Sequence, residues 1–288
     1  MSYLFIMIEN SIILGDCLQY MQQFPEKSFD CILTDPPYLT TDLAFDKEGF
    51  DIDQWLEACL HCLKDNGYLI SFGSVELLAK ILTKFTVRWH GCWLKSSSTM
   101  RTKSAKKPRS QMESYVVFVK PNSKISELTF NQVKIPGEPY SAIQKRRMRR
   151  DGKDCLYNAS PESFTKDGYV IENDGWRYQT DVIKGNSKVH IFPQEKTEHP
   201  TQKPVNVYKT LLEFCTNEND LVLDPFAGSG TLAVAATQLN RRYVCIEKNP
   251  GYYAMILDRL SRAGIDTTAD SNGQVEIITA PYSQLSLF

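Results

Sequence analysis

An acid, two prolines and an aromatic residue in a row, Asp35-Pro36-Pro37-Tyr38, follow an apolar run from Phe29 to Leu33. A carboxylate and a proline carbonyl are both pure hydrogen-bond acceptors. Aimed at one exocyclic –NH2 group, Asp35 and the Pro36 carbonyl together take both amino hydrogens. That localises a nitrogen lone pair otherwise spread into a base ring. Tyr38 adds a flat face on which a base stacks. The same dipeptides also mark plain strand-to-loop turns, so the tetrapeptide needs support from the rest of the chain.

A second constellation lies far downstream. Leu221 to Asp224 reads as a strand ending in an acid, Pro225-Phe226-Ala227-Gly228-Ser229-Gly230-Thr231 as a turn, and Leu232 to Leu239 as a helix. Tyr243 to Ile246 is the next strand, and Glu247 ends it. This is the nucleotide-binding βαβ pattern. Gly228 and Gly230 permit a tight turn and close approach of a ligand to the backbone. Glu247, 17 residues after Gly230, is placed for ribose hydroxyls. The third glycine of the dinucleotide pattern is absent, and Asp224 would repel a pyrophosphate but attract a sulfonium or amino group. The ligand this favours is S-adenosylmethionine (SAM) rather than a nicotinamide dinucleotide.

These residues need a frame of strands to carry them. Phe29 to Leu33 reads as a buried strand that the prolines end, so Asp35 stands at a strand's carboxyl end, where open α/β sheets bind ligands. Ser11 to Leu14 is another strand, closed by Gly15-Asp16; Asp16 is either an N-cap for a helix over Cys17 to Gln23 or a ligand contact. Helices are expected over Asp53–Leu63, Val75–Phe85, Val205–Phe214 and Tyr252–Leu260, and strands over Tyr68–Phe72, Trp89–Leu94, Tyr115–Val119 and Val275–Thr279. Asn66-Gly67 reads as a turn and Gly264 to Gly273 as a polar loop. Leu39 to Phe50 reads as a loop over the site, either a lid or a surface connection. His199-Pro200-Thr201-Gln202-Lys203-Pro204 opens the last third, with Thr201 and Pro204 suited to a helix start. Cys59-Leu60-His61-Cys62 lacks the second pair a structural zinc site needs and reads as core; no metal is expected.

Charge is unevenly spread. Residues 96–150 hold thirteen Lys and Arg against three Asp and Glu, a local +10 in a chain of formal charge −1. Two clusters carry it: Lys103, Lys106, Lys107 and Arg109, then Lys145, Arg146, Arg147, Arg149 and Arg150. A basic segment in an otherwise acidic chain fits phosphate contact better than a solvated helix face. Trp176, Tyr178 and Tyr169 nearby read as base contacts or as a small local core. Scattered cysteines suit a reducing cytoplasm, and no run reaches the roughly 20 apolar residues of a membrane span.

Asp35-Pro36-Pro37-Tyr38 followed by Asp224-Pro225-Phe226-Ala227-Gly228-Ser229-Gly230 resembles the amino-group DNA methyltransferases. The order, catalytic motif first and SAM motif last, resembles their permuted β group, as do His199 to Pro204 and Glu247-Lys248-Asn249-Pro250. The resemblance covers about 8–95 and 199–262. It implies an α/β, Rossmann-like SAM-dependent methyltransferase sheet with helices on both faces and circularly permuted motif order. Its domains would be a catalytic half at 1–95, a target-recognition insertion at 96–198 and a SAM-binding half at 199–288. It further implies that Phe226, Gly228, Gly230 and Thr231 line the cofactor with Asp224 near its methionyl end. Glu247 would hold the ribose, Asp16 would lie on the adenine side, and Thr201 and Lys203 near the methionyl carboxylate. Trp93-Leu94-Lys95 would flank the base pocket. Double-stranded DNA is the implied partner, with a homodimer compatible. The family's adenine-N6 enzymes more often carry Asp at the first motif position and its cytosine-N4 enzymes Ser, so Asp35 points to adenine. RNA or protein amide methylation and DNA binding without catalysis are the competing readings. A cytosine-C5 enzyme would need a Pro-Cys nucleophile, which the chain lacks.

Overall fold

Runs of apolar residues with no polar alternation, such as Cys31-Ile32-Leu33 and Leu221-Val222-Leu223, can be satisfied only by strands buried on both faces. The computed structural model describes residues 9–37, 50–98, 106, 108–144, 164–165, 168–187, 190–191, 193, 195–271 and 274–278. It forms these runs into strands β1 (Ser11–Leu14), β2 (Phe29–Thr34), β3 (Leu63–Phe72), β4 (Thr86–Lys95) and β5 (Met112–Val119). Short strands β6 (Lys134–Pro136), β7 (Tyr140–Gln144), β8 (Phe164–Thr165), β9 (Gly168–Asn173) and β10 (Trp176–Tyr178) follow. The chain then adds β11 (Val182–Gly185), β12 (Leu221–Asp224), β13 (Arg242–Glu247), β14 (Thr267–Ser271) and β15 (Gln274–Ile278). The α-helices are α1 (Cys17–Met21), α2 (Ile52–Cys62), α3 (Val75–Ile81), α4 (Val205–Cys215), α5 (Thr231–Gln238) and α6 (Pro250–Arg262).

Ten strands make one sheet in the order β11-β4-β5-β3-β2-β12-β13-β1-β14-β15. β3, β2, β12, β13, β1 and β14 are mutually parallel, with β5 and β15 antiparallel to their neighbours. From β2 the chain moves through α2 to β3 on one side; from β12 it moves through α5 to β13 on the other. The β2/β12 boundary is therefore a switch point, where the carboxyl ends of adjacent strands open a crevice. Both faces are covered. Met21, Trp55, Leu56, Cys59, Cys62 and Ile81 pack with Ile32, Leu69, Leu223 and Val244 in one core. The alternate strand residues Leu33, Ile70, Val222 and Cys245 are fully buried too, on a sheet against which α4 and α5 also pack.

Three expectations change. Asn66 and Gly67 do not turn the chain between elements: they lie within β3, which has four residues between Leu63 and Tyr68 opposite the single Asp30 of β2. The local bend survives as a bulge, and a side chain on Gly67 would meet the Asp30 carbonyl at 2.8 Å. The polar stretch 264–273 is not all loop, because β14 pairs along β1. Hydrophobic patterning misses such a strand because hydrogen bonds anchor its first residue: the Thr267 hydroxyl donates to the Asn10 carbonyl at 2.9 Å and lies 3.0 Å from the Tyr243 hydroxyl. Finally, Val75 begins a helix that ends at Ile81 rather than Phe85. Cys59 and Cys62 are buried on α2, with the Cys62 thiol donating to the Met21 carbonyl, as small core residues do.

Within the segment 96–198, β5 and β11 belong to the main sheet, and residues 132–180 form a second compact unit. That unit contains a β10–β6 pair and a β7–β9–β8 sheet. Trp176 and Tyr178 are 48% and 60% exposed there, so neither is part of a local core.

Candidate active site

Asp30 and Thr34 fasten the two central strands together. At the amino end of the β2/β12 pair, Asp30 Oδ2 accepts from the Leu221 amide at 3.0 Å. At the carboxyl end, the buried Thr34 hydroxyl donates to Asp224 Oδ1 at 2.9 Å, which also accepts from the Phe226 amide at 3.1 Å. Asp35-Pro36-Pro37 therefore leaves the sheet directly beside the glycine turn. Asp224 is 2% exposed. Burial, with the nearby charges of Asp35 and Glu247 adding to it, pushes its carboxyl up to about 7, against the hydrogen bonds from Phe226 and Thr34.

The glycine turn is built as close approach requires. Gly228 and Gly230 have φ of 52° and 71°, in the left-handed region. A Cβ on Gly230 would stand 2.7 Å from Ile256 Cγ2. Glu247 braces the turn from the end of β13: Oε2 accepts from the Gly228 amide and Oε1 from the Asn249 amide, each at 2.8 Å. Thr231 ties the turn to the preceding segment by donating to the Lys203 carbonyl at 3.0 Å. Arg259 of α6, almost fully buried, donates to the Ser229 carbonyl at 2.7 Å. Burial lowers its guanidinium to about 10. Phe226 meets Phe50 edge-on at 5.1 Å and Trp55 at 5.9 Å, forming an aromatic wall. Gly230→Val should therefore unseat α5 and weaken SAM binding by at least tenfold (about 1.4 kcal/mol), read by titration calorimetry; unchanged affinity would mean the turn does not touch the cofactor.

Lys203 has partners that sequence reading missed. Its side chain is 6% exposed, and its ammonium pairs with Asp35 Oδ2 and, at 3.1 Å, with Glu113 Oε2. Glu113 in turn pairs with Lys95. Phe72 presents its ring 5.2 Å from the Lys203 nitrogen. Burial opposes the Lys203 charge, but Asp35 and Glu113 outweigh it, and the ammonium pKa is raised. Burial likewise opposes the Glu113 charge, and Lys203 and Lys95 more than offset it, so that carboxyl is lowered. Glu195 accepts from the Val205 amide at 2.7 Å and so caps α4, whose own N-cap residue, Pro204, makes no side-chain capping bond. Of the linked charges Lys95, Glu113, Lys203 and Asp35, Glu113 is the one that carried no sequence signal.

The remaining candidates divide simply. Asp16 caps α1, accepting from the Leu18 amide at 2.9 Å, at the end of a strand paired to β13. Thr201 is exposed, its amide 3.4 Å from His199 Nδ1; the His199 ring packs against Tyr252 at 4.6 Å. Lys106 and Arg109 are exposed. Tyr38, residues 39–49 of the expected lid, Lys103, Lys107, Lys145, Arg146, Arg147, Arg149 and Arg150 lie outside the described residues. Among the described residues no three His, Cys, Asp or Glu are grouped to hold a metal ion, and no helix is long and apolar enough to cross a membrane.

A family model described as DNA methylase, N6_N4_Mtase, matches residues 29–258, which include both strand ends and everything between them. The chain belongs to this family. Its relatives include the type II methyltransferase M.HpaI of Haemophilus parainfluenzae, 27% identical over 88% of this chain and 74% of that protein. The DNA adenine methyltransferase YhdJ of Escherichia coli K12 is 29% identical over 88% of this chain and 83% of its own length. In architecture, this methylase matches the crystal structure of the M1.HpyAVI–SAM complex with a TM-score of 0.57. The two are 23% identical, and the match covers 87% of this chain and 98% of the other. The α/β sheet with helices on both faces is thus the fold of a methyltransferase.

Proposed function

We propose that the chain is a site-specific DNA methyltransferase that moves a methyl group from SAM to the exocyclic N6 of a flipped-out adenine. The observation that carries this is the Thr34–Asp224 bond, which sets Asp35-Pro36-Pro37 against the glycine turn at the switch point. The residues present fit SAM. Gly228 and Gly230, left-handed and without side chains, suit a backbone-hugging ligand, Phe226 offers an aromatic wall, and Glu247 and Asp224 offer carboxylates. Asp16, Thr201, Lys203 and Thr231 complete the candidate cofactor set by resemblance. When bound, SAM would supply a sulfonium methyl carbon open to attack by a neutral nitrogen, with the thioether sulfur as leaving group.

The chain's own task is placement. A base inside the duplex is out of reach, so the nucleotide must be extruded, with Tyr38 as stacking platform. Asp35 and the Pro36 carbonyl accept the two amino hydrogens, turning the nitrogen lone pair out of the ring. The gain comes from orientation and preset dipoles. Lys103, Lys106, Lys107, Arg109 and Lys145 to Arg150 are proposed to hold backbone phosphates, with recognition in 96–198 and the two methyltransferase halves at 1–95 and 199–288. DNA is the substrate, the cytoplasm the place of action.

The test is labelled SAM with mixed-sequence duplex DNA, digested to nucleosides for mass spectrometry. N6-methyldeoxyadenosine is the expected product. N4-methyldeoxycytidine would keep the chemistry and overturn the choice of base, while no methylated base from folded, SAM-binding protein would overturn the DNA reading.

Asp224 gives the cofactor site a pH signature. With a carboxyl raised to about 7, the folded protein takes up a proton here as pH falls from about 7 towards the ordinary carboxylate range, so this group makes the fold more stable at pH 5 than at pH 8. A sulfonium nearby favours the ionised form, so SAM binding near pH 6.5 should release a proton. Calorimetry in buffers of different ionisation enthalpy should see that release, and Asp224→Asn should abolish it. An unchanged release in the variant would place the titration elsewhere.

A further inference from the structure

Four charged side chains of alternating sign run through the site in the order Lys95, Glu113, Lys203, Asp35. They come from β4, β5, the segment before α4, and the chain just after β2, and their side chains are only 11%, 27%, 6% and 18% exposed. Buried ion pairs are a poor way to gain stability, since apolar residues of similar volume do as well or better. Three linked pairs at the carboxyl end of the catalytic strand therefore call for a reason beyond folding. Glu113 supplies the clue. Its Oε2 is shielded from solvent and makes no well-formed hydrogen bond among the described residues; its contact is the 3.1 Å ion pair with Lys203.

We propose that Glu113 is a positioning residue for methyl transfer: it holds the Lys203 ammonium charged and in place against Asp35, so that the carboxylate meets the target amino group ionised and in one orientation. The proposal rests on Asp35 being the acceptor for that amino group. Lys203 engages Oδ2, and a carboxylate has acceptor capacity at both oxygens, so a cation fixed on one oxygen orients the other. Without Glu113, the buried ammonium keeps Asp35 as its ion-pair partner among the described residues. It then gives up its proton more readily or closes further onto Asp35, competing with the substrate. Among the described residues, the groups facing Lys203 are Asp35, Glu113 and the Phe72 ring, with Lys95 behind Glu113 and with Tyr208 of α4 within electrostatic reach of Asp35, Glu113 and Asp224.

The experiment compares Glu113→Gln and Glu113→Asp in the full chain, measuring kcat against pH, KM for DNA and calorimetric affinity for SAM. Glu113→Gln should lower kcat at least tenfold, leave SAM affinity within about twofold, and move the basic limb of the kcat profile to lower pH, because one of the two carboxylates that raise Lys203 is gone. Glu113→Asp should restore the position of that limb. If Glu113→Gln does not fold, the charge-balanced Glu113→Gln/Lys95→Gln pair takes its place with the same expected shift. Equal losses in both single variants with an unmoved basic limb would assign Glu113 to structure and overturn the proposal, as would a wild-type profile. An Asp35→Ala control separates the two readings. If that variant stays fully active, the acceptor role of Asp35 fails. If it is inactive while Glu113→Gln behaves as wild type, only the role of Glu113 fails.

Discussion

Asp35→Ala should lower the methyl-transfer rate by about 10²–10³-fold or more, the scale of losing one preset electrostatic contact in a closed site, while SAM still binds. The two effects separate because of where the side chains point. Asp35 is directed at Lys203, whereas the glycine turn is braced by Glu247, Thr231 and Arg259. Removing Asp35 leaves Lys203 paired with Glu113, so the fold should survive with a modest stability loss. Asp35→Asn sharpens the test. The amide keeps the shape and one acceptor but presents –NH2 hydrogens to a substrate amino group and removes one of the two carboxylates paired with the ammonium. Its rate should fall between wild type and alanine. Single-turnover assays with saturating DNA would read both, and a fully active alanine variant would remove Asp35 from the chemistry.

Much of this site could be read from the chain because its parts end strands. Thr34-Asp35 and Asp224 each follow an unbroken apolar run, and Glu247 closes a third. Such residues must gather at one edge of a parallel sheet, however far apart in sequence. Lys203 was found but its ion-pair partners Asp35 and Glu113 were not, because an ion pair needs two addresses. Glu113 lies on β5, an antiparallel strand whose register against β3 and β4 is set by pairing rather than by any local motif. Nothing in Met112-Glu113-Ser114 distinguishes it from an edge-strand acid. Arg259 was likewise hidden as one basic residue on a closing helix. β14 was missed because polar residues such as Thr267 and Thr268 form it, stabilised by pairing to β1 and by hydrogen bonds to Asn10 and Tyr243. The second unit, residues 132–180, offers short strands and polar turns whose pairings are set at long range.

Lys203→Met is the substitution that separates the two roles its position suggests. Resemblance puts the ammonium near the methionyl carboxylate of SAM; the geometry puts it between Asp35 and Glu113. If the ion pairs are its main work, kcat should fall by at least about tenfold (1.4 kcal/mol in barrier) and by more than SAM affinity does. A larger loss in SAM affinity than in kcat would return the residue to the cofactor. Stability gives a second reading. Removing one partner of a buried pair costs about 3–5 kcal/mol, and the low end applies here because both carboxylates are partly exposed and Glu113 keeps Lys95. That corresponds to a melting point lower by roughly 5–10 °C. Glu113 is held below its ordinary pKa by Lys203 and Lys95 against burial, so its contribution is present above the ordinary carboxylate range and is lost as pH falls through the lowered value. The gap between wild type and Lys203→Met should therefore narrow from pH 7 to pH 4, as the carboxylates left without their cation take up protons. Methionine fills nearly the same volume against Phe72, so a gap that stays constant with pH would mean that packing on that ring, rather than charge, is what Lys203 contributes to the fold.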